Sequence, residues 1–194
     1  MKQLLIATQN KHKIAEYKAM LEPLGYLVKT LLDYPDILDI EETGTTLQAN
    51  ALIKAKTLSD LTLLDVIADD SGLAVDALDG APGVYSARYA GKNVSYEDNN
   101  RKLLADMVGQ SNRTAQFVTV ICLYERTHEP RYYTGILSGT IATEHRGTNG
   151  FGYDPIFVLE DGRHLAELSM IDKNAISHRS RALVQLVNDL EDRT

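Results

Sequence analysis

The chain has 194 residues and a formal net charge of −7, with 44% hydrophobic and 24% charged residues, as in an ordinary globular protein. This length suits one domain, or two closely packed lobes, with a substantial core. The acidic balance argues against a general nucleic-acid-binding surface, and no apolar run approaches the ~20 residues that span a bilayer. The start of the chain is too short for a signal-peptide core, so we expect a cytoplasmic protein. Cys122 is the only cysteine, which excludes an internal disulfide and predicts a core thiol.

The first third of the chain predicts strands that alternate with helices. Buried strands are expected at residues 4–7, 26–28 and 66–68, and helices at residues 14–24 and 47–58. Gly25 supplies the stop for the first helix. Thr45 and Gln48 form a possible capping box for the second helix. This alternation is typical of parallel strands in an α/β protein.

The remainder of the chain predicts a hairpin between two helices. Ser95 and Asp98 open a helix, after a loop rich in glycine and proline at residues 80–89. Residues 115–124 and 132–141 favour two long strands that turn around residues 127–130. A last helix carries its apolar face on Leu183, Leu186, Val187 and Leu190. We therefore predict an α/β fold with a mixed central sheet and flanking helices.

The most informative segment is Asp69-Asp70-Ser71-Gly72, which follows the apolar run at residues 66–68. We expect the third strand to end there, at the edge where α/β proteins bind ligands. Because side chains alternate along a strand, only one aspartate is expected to face a given site. The alternative is a turn in which these side chains bond their own backbone.

Two more segments have the composition of a phosphate and metal site. Thr8, Asn10 and Lys13 lie where the first strand meets the first helix, and free N–H groups at a helix start attract anions. The glycine pattern of a P-loop is absent, and the alternative is an ordinary helix cap with solvated lysines. Glu41 with Asp70 would make an oxygen pair suited to Mg²⁺, although acidic residues near a helix start are commonly explained by its dipole.

Two segments near the end of the chain favour recognition of a base. In Gly150-Phe151-Gly152-Tyr153-Asp154-Pro155, glycines around an aromatic residue allow close approach of a ligand to the backbone. A loop entering a strand is the alternative. Ser177 is expected to cap the last helix, with His178 and Arg179 in its first turn. Cations there oppose the helix dipole unless an acceptor or anion is near, although such a pair is commonly just solvated.

Together these segments resemble the Ham1/inosine triphosphate pyrophosphatase family, most closely its bacterial dITP/XTP pyrophosphatases. The resemblance covers nearly the whole chain, and its motifs occur in the family's order. They are Thr8-x-Asn10-x-x-Lys13, Glu41-Glu42-Thr43-Gly44, residues 68–73, residues 80–88, residues 150–155 and Ser177-His178-Arg179. Any one of these motifs could occur by chance, but the ordered set is highly specific.

The resemblance implies one nucleotide pyrophosphatase domain over residues 1–194, with two lobes around a deep cleft, assembled as a homodimer. It implies Mg²⁺-dependent hydrolysis of ITP, dITP and XTP to the monophosphate and pyrophosphate, which removes deaminated purines from the nucleotide pool. The implied catalytic residue is Asp70, which would also bind Mg²⁺ with Glu41, and Ser71 would contact the substrate. The implied triphosphate ligands are Thr8, Gln9, Asn10, Lys11, His12, Lys13 and Lys173. The implied base pocket comprises Phe151, Gly152, Tyr153 and Asp154, with His178 and Arg179 at the base edge.

The chemistry of the base-edge residues agrees with a keto purine. Arginine only donates hydrogen bonds, and a suitable form of His178 donates as well. The keto oxygen of hypoxanthine or xanthine accepts, whereas adenine presents an amino donor, and each unsatisfied buried donor costs ~1–3 kcal/mol. Two alternatives remain open at this point: a nucleotide-binding regulator or sensor without efficient hydrolysis, and a related enzyme acting on modified pyrimidine triphosphates.

Overall fold

The computed structural model describes residues 2–38 and 40–193, with His12 described by its backbone alone, and its elements alternate early in the chain. The first five are β1 (Lys2–Ile6), α1 (Lys11–Leu21), β2 (Tyr26–Thr30), α2 (Leu47–Thr62) and β3 (Asp65–Val75). The next four are β4 (Pro82–Gly83), α3 (Tyr96–Asp106), β5 (Thr114–Tyr124) and β6 (Arg131–Ile141). The last three are β7 (Phe157–Val158), α4 (Met170–Ile176) and α5 (His178–Glu191). Short 3₁₀ turns connect several of these elements.

The strands form a mixed sheet, as predicted. Their order is β2-β1-β3-β5-β6-β7, and β4 pairs with β3 off this path. β1 is parallel to both β2 and β3, so that Leu5 lies opposite Lys29 on one side and Val66 on the other. β4 and β7 instead pair antiparallel, with β3 and β6 respectively. The α/β fold class is therefore confirmed.

The chain divides into two compact units, each with its own core. Unit 1 comprises residues 1–70, 120–134 and 182–194, and unit 2 comprises residues 71–119 and 135–181. The unit 1 core includes side chains of β1, α1 and the apolar face predicted for the last helix: Leu4, Ile6, Tyr17, Leu21, Leu183, Leu186, Val187 and Leu190. The unit 2 core includes Leu73, Leu103, Phe117, Ile156 and Phe157.

The helix caps agree with the sequence at two of three positions. Ser95 and Asp98 form the predicted capping box of α3, and the Ser177 hydroxyl accepts from the Ser180 N–H at the start of α5. At α2 the cap is Thr46, whose hydroxyl accepts from the Ala49 N–H at 3.1 Å, so the prediction of Thr45 is wrong by one residue. Both are threonines, and only the backbone trajectory distinguishes them.

The third strand is longer than predicted, which corrects the expectation for the acidic segment. β3 continues to Val75, so Asp69 to Gly72 lie inside the strand rather than at its end. The continuation is stabilised by β4, because Leu73 pairs with Gly83. A Cβ at Gly72 would lie 2.3 Å from the carbonyl oxygen of Gly83, so only glycine permits this close pairing.

The structure also bears on the environment of Cys122 and on membrane-spanning helices. Cys122 is fully buried in the unit 1 core, as predicted, and burial raises the pKa of its thiol to about 12. Among the described helices, none is both long enough and apolar enough to span a bilayer.

Candidate functional site

Unit 1 holds a cluster of opposite charges where β3 approaches α1 and α2, which we call the acidic cluster: Lys13, Glu42, Lys54, Asp69 and Asp70. The Lys13 ammonium lies 2.6 Å from the Asp69 carboxylate, which is buried. The Lys54 ammonium donates to the Asp69 carbonyl at 2.6 Å and lies 2.8 Å from Glu42 and 4.0 Å from Asp70. The Asp69 carboxylate therefore joins the cluster through Lys13, and the Asp70 carboxylate through its longer contact with Lys54.

Asp70 accepts a hydrogen bond from a buried amide in addition to its longer contact with Lys54. Asn50, on α2, is fully buried, and its Nδ2 donates to the Asp70 carboxylate at 3.1 Å. The Asn50 Oδ1 accepts from the Gly44 N–H at 2.8 Å, which leaves only the amide nitrogen to face Asp70. A Cβ at Gly44 would lie 2.6 Å from this Oδ1, so the glycine is required for the contact. Asp70 is therefore a carboxylate with a fixed direction.

The segment at residues 8–13 forms a turn that leads into α1. The Thr8 hydroxyl accepts from the Asn10 N–H at 3.1 Å, and Asn10 Oδ1 accepts from the Lys13 N–H at 3.3 Å. Gln9 and Lys11 are exposed. The side chain of His12, also expected at the triphosphate, lies outside the described part of the structure. Lys13 belongs to this segment and joins the acidic cluster through its ion pair with Asp69.

The two adjacent glutamates differ in their surroundings. Glu41, the expected metal ligand, is exposed, whereas Glu42 forms the ion pair with Lys54. No three His, Cys, Asp or Glu side chains within the described residues converge as a ready-made metal cage. Mg²⁺ commonly uses only one or two protein carboxylates and completes its shell with waters and substrate phosphates. The hard oxygen donors of this cluster, with the fixed Asp70 carboxylate, fit that mode of binding.

Unit 2 contains a cavity of about 200 Å³, which we call the aromatic pocket. Aromatic and apolar side chains form much of it, including Leu73, Tyr96, Phe117, Phe151 and Tyr153. The polar side chains in its lining are Ser71, Ser86, Asn99, Asp154, Lys173, His178 and Arg179. An apolar cavity with a few converging polar groups is typical of a small-molecule site.

A buried ion pair shapes the loop that carries Phe151. Lys173 and Asp154 are 6% and 3% exposed, and the Lys173 ammonium donates to Asp154 Oδ2. The same Oδ2 accepts from the Phe151 N–H at 2.8 Å. Burial raises the pKa of the Asp154 carboxyl, while Lys173 opposes that rise. The Lys173 ammonium also lies 4.3 Å from the centroid of the Phe151 ring, a cation–π distance.

Lys173, which the resemblance implies at the triphosphate, lines the aromatic pocket. Its ammonium contacts Asp154 and Phe151 there, and its contact with a triphosphate stays a prediction. Phe151 is 45% exposed, although Tyr153 and Asp154 beside it are buried. Part of the Phe151 surface is thus accessible from the pocket that it lines.

The start of α5 brings the two expected base-edge residues into the pocket. His178 stacks on Phe117, with ring centroids 5.0 Å apart and planes 12° from parallel, and Arg179 lines the same cavity. Ser71, also expected at the substrate, lies in the pocket lining and shares a hydrogen bond of 2.7 Å with the buried Thr119 hydroxyl.

Two asparagines on α3 hold the pocket walls in place. Asn99 accepts from the Ala90 N–H at 2.8 Å and donates to the Ala87 carbonyl at 3.2 Å. Asn100 donates to the Gly152 carbonyl at 3.0 Å. Both asparagines are 2% exposed, so their hydrogen bonds fix the backbone of two loops that line the cavity from inside the fold.

Several residues of these sites were missed from the sequence. Asn50 and Lys54 are spaced i, i+4 on a helix whose neighbouring Ala51 and Ala55 are core residues, so a polar pair beside an apolar face was an available signal. Phe117, in contrast, sits in an ordinary apolar strand, and nothing in its sequence context distinguishes it from a core residue.

Comparisons with known proteins identify the family of this chain. The sequence model of the Ham1 family matches residues 4–189. A Bacillus licheniformis protein named dITP/XTP pyrophosphatase is 50% identical over 189 residues, which cover 96% of each chain. A Geobacter sulfurreducens protein of the same name is 48% identical over 98% of this chain and 97% of its own length.

Solved structures of Ham1 proteins are also similar to this chain. The Ham1 protein of Staphylococcus aureus superimposes with a TM-score of 0.94 at 42% identity, over the whole of both chains. A Ham1 protein from Coxiella burnetii superimposes with a TM-score of 0.95 at 43% identity, over 99% of this chain and all of that one. The chain belongs to the Ham1 family.

Proposed function

We propose that this protein hydrolyses non-canonical purine nucleoside triphosphates, such as ITP, dITP and XTP, to the nucleoside monophosphate and pyrophosphate. The observation that carries this proposal is the aromatic pocket, in which a half-exposed phenylalanine ring lies beside histidine and arginine donors. The names of the relatives support the same substrate class.

The pocket chemistry supports a keto purine over adenine. The Phe151 ring offers a stacking surface, and base–aromatic stacking contributes ~1–3 kcal/mol per base. Arg179 has only donors to present, and His178 donates through a protonated ring nitrogen. An acceptor such as the keto oxygen satisfies these donors, whereas the adenine amino group leaves them unsatisfied.

The acidic cluster supports hydrolysis over simple binding. A protein that only bound a triphosphate would gain little from carboxylates near phosphate. Cleavage between the α- and β-phosphates needs a positioned water and neutralised charge on the departing pyrophosphate. We propose that Asp70, held in direction by Asn50, accepts a proton from the attacking water, and that Lys13 and Lys54 contact the phosphates.

The proposed reaction also uses Mg²⁺, for which Asp70 and Glu41 would supply carboxylate oxygens. When bound, the ion would neutralise negative charge on the phosphates. The pairs of Lys13 with Asp69 and of Lys54 with Glu42 hold both ammonium groups within the cluster. A bound phosphate would then replace these carboxylates as the partner of the two ammonium groups.

Product analysis tests the proposal directly. Purified protein with Mg²⁺ is incubated separately with ITP, XTP, GTP, ATP and dTTP, and products are separated by anion-exchange chromatography. We expect IMP or XMP with pyrophosphate, and little product from ATP or GTP. Release of a diphosphate and orthophosphate would refute attack at the α-phosphorus. Binding of ITP without turnover would favour a nucleotide sensor, and rapid turnover of dTTP would favour a pyrimidine-directed enzyme.

The homodimer implied by the family resemblance stays a prediction. Light scattering coupled to size-exclusion chromatography checks it, since a dimer doubles the 21.5 kDa mass of the chain.

A further inference from the structure

The stack of Phe117 on His178 stands out because it joins a buried strand residue to a base-edge residue. The nearly parallel planes and the 5.0 Å centroid distance are those of an aromatic stack. Phe117 is 9% exposed and is held from another side by Phe157, whose ring centroid lies 4.6 Å away at a tilt of 43°. Phe157 is fully buried in the unit 2 core.

His178 is the first residue of α5 and lies in the lining of the aromatic pocket. With one face stacked on Phe117, the imidazole is constrained in its plane.

We propose that Phe117 is a positioning residue for base recognition, an inference that rests on the proposed function. Its ring fixes the plane of His178 so that the imidazole edge donates to an acceptor on the purine. Without the ring, this constraint on the imidazole plane is lost. The protein would then discriminate less well between a keto purine and adenine.

The test compares Phe117→Leu with Phe157→Leu. Both changes remove a ring from the same core and the same Phe117–Phe157 contact, but only Phe117→Leu removes the stack on His178. Aromatic pairs contribute ~0.5–1.5 kcal/mol, so we expect Phe117→Leu to lower the ratio of kcat/KM for ITP over ATP about threefold to tenfold. Phe157→Leu is expected to lower stability and to change that ratio less than Phe117→Leu does, because the stack on His178 is kept.

A double-mutant cycle separates positioning from general damage. In a His178→Ala background, Phe117→Leu is expected to have no further effect on the ITP/ATP ratio, because the residue that it positions is gone. An equal loss in both backgrounds would overturn the proposal. Should Phe117→Leu fail to fold, Phe117→Tyr keeps the ring and is expected to retain the wild-type ratio. A fall in the ratio with this variant would count against the stack.

An NMR measurement tests the stack without any turnover. The imidazole carbon-bound protons of His178, assigned by their loss in His178→Ala, are expected upfield in the wild type because of the Phe117 ring current. They should move downfield in Phe117→Leu and move less in Phe157→Leu. If the wild type does not hydrolyse ITP, the proposed function fails. The double-mutant cycle is then measured on the ratio of ITP and ATP affinities, obtained by equilibrium dialysis, in place of kcat/KM. Unshifted protons in the wild type would overturn the inference itself.

Discussion

Replacing Lys173 with methionine should destabilise the protein far more than loss of a surface lysine would. Lys173→Met keeps the length and apolar character of the stem but removes the ammonium, which leaves Asp154 without its buried partner. The two side chains are only 8% and 4% exposed, and removal of one member of such a pair costs about 3–5 kcal/mol. That loss is a large fraction of the 5–15 kcal/mol by which a typical domain is stable.

Urea denaturation followed by far-UV circular dichroism measures this loss, and Lys102→Met provides a matched control. Lys102 pairs with Asp106 at 2.9 Å, but these side chains are 42% and 31% exposed, so the control should lose less than about 1 kcal/mol. Adding Asp154→Asn to Lys173→Met should recover part of the stability, because the unpaired charge is then removed. If Lys173→Met were no more destabilising than Lys102→Met, the buried pair would not have the structural role described above.

Three further predictions concern catalysis, binding and pH. Asp70→Asn should lower kcat for ITP about 10²–10⁴-fold with an unchanged urea midpoint, and near-normal steady-state turnover would exclude Asp70 as the base. Phe151→Ala should raise KM for every purine substrate about fivefold to 100-fold, since a stacking surface of ~1–3 kcal/mol is lost, and an unchanged KM would exclude stacking. Burial alone would raise the pKa of Glu125, but hydrogen bonds from Lys2 and Arg193 and the nearby Arg131 lower it to about 2. Because the folded pKa lies below the unfolded value, this stabilisation is complete above about pH 4.5 and is lost as the pH falls toward about 2. It amounts to about 2–3 kcal/mol, so urea midpoints measured between those pH values should fall less steeply for Glu125→Gln than for the wild type.

The sequence predicted the order of elements because the signals for that order are local. Apolar runs, glycine stops and the Ser95–Asp98 capping box each depend on residues within a few positions of one another. The length of β3 depended instead on a distant partner. Asp69, Asp70 and Gly72 disfavour a strand locally, but pairing with β4 carries the strand through them.

In the candidate sites, too, residues with a local signal could be predicted, and residues that depend on distant partners could not. The Phe151 loop and the His178–Arg179 pair were found because their residue types are unusual in their local context. The partner of Lys173 could not be inferred, because the residue joins Asp154 only through the folding of α4 against the pocket loop. The role of the Asn50 amide could not be inferred either, because an asparagine within a helix has several possible hydrogen-bond partners and the sequence does not show that Asp70 lies beside it.

The buried pair also has a consequence for how the substrate range of this protein could change during evolution. A Cβ at Gly150 would lie 2.0 Å from Asp154 Oδ2, so the carboxylate fills the space beside the loop and defines its course. Substitutions at Asp154 or Lys173 would therefore alter the shape of the pocket together with its charge, and most would be lost through instability. Tyr96 is 58% exposed and lines the same cavity without belonging to that pair. New base preferences are thus more accessible through rim positions such as Tyr96 than through the residues that hold the pocket together.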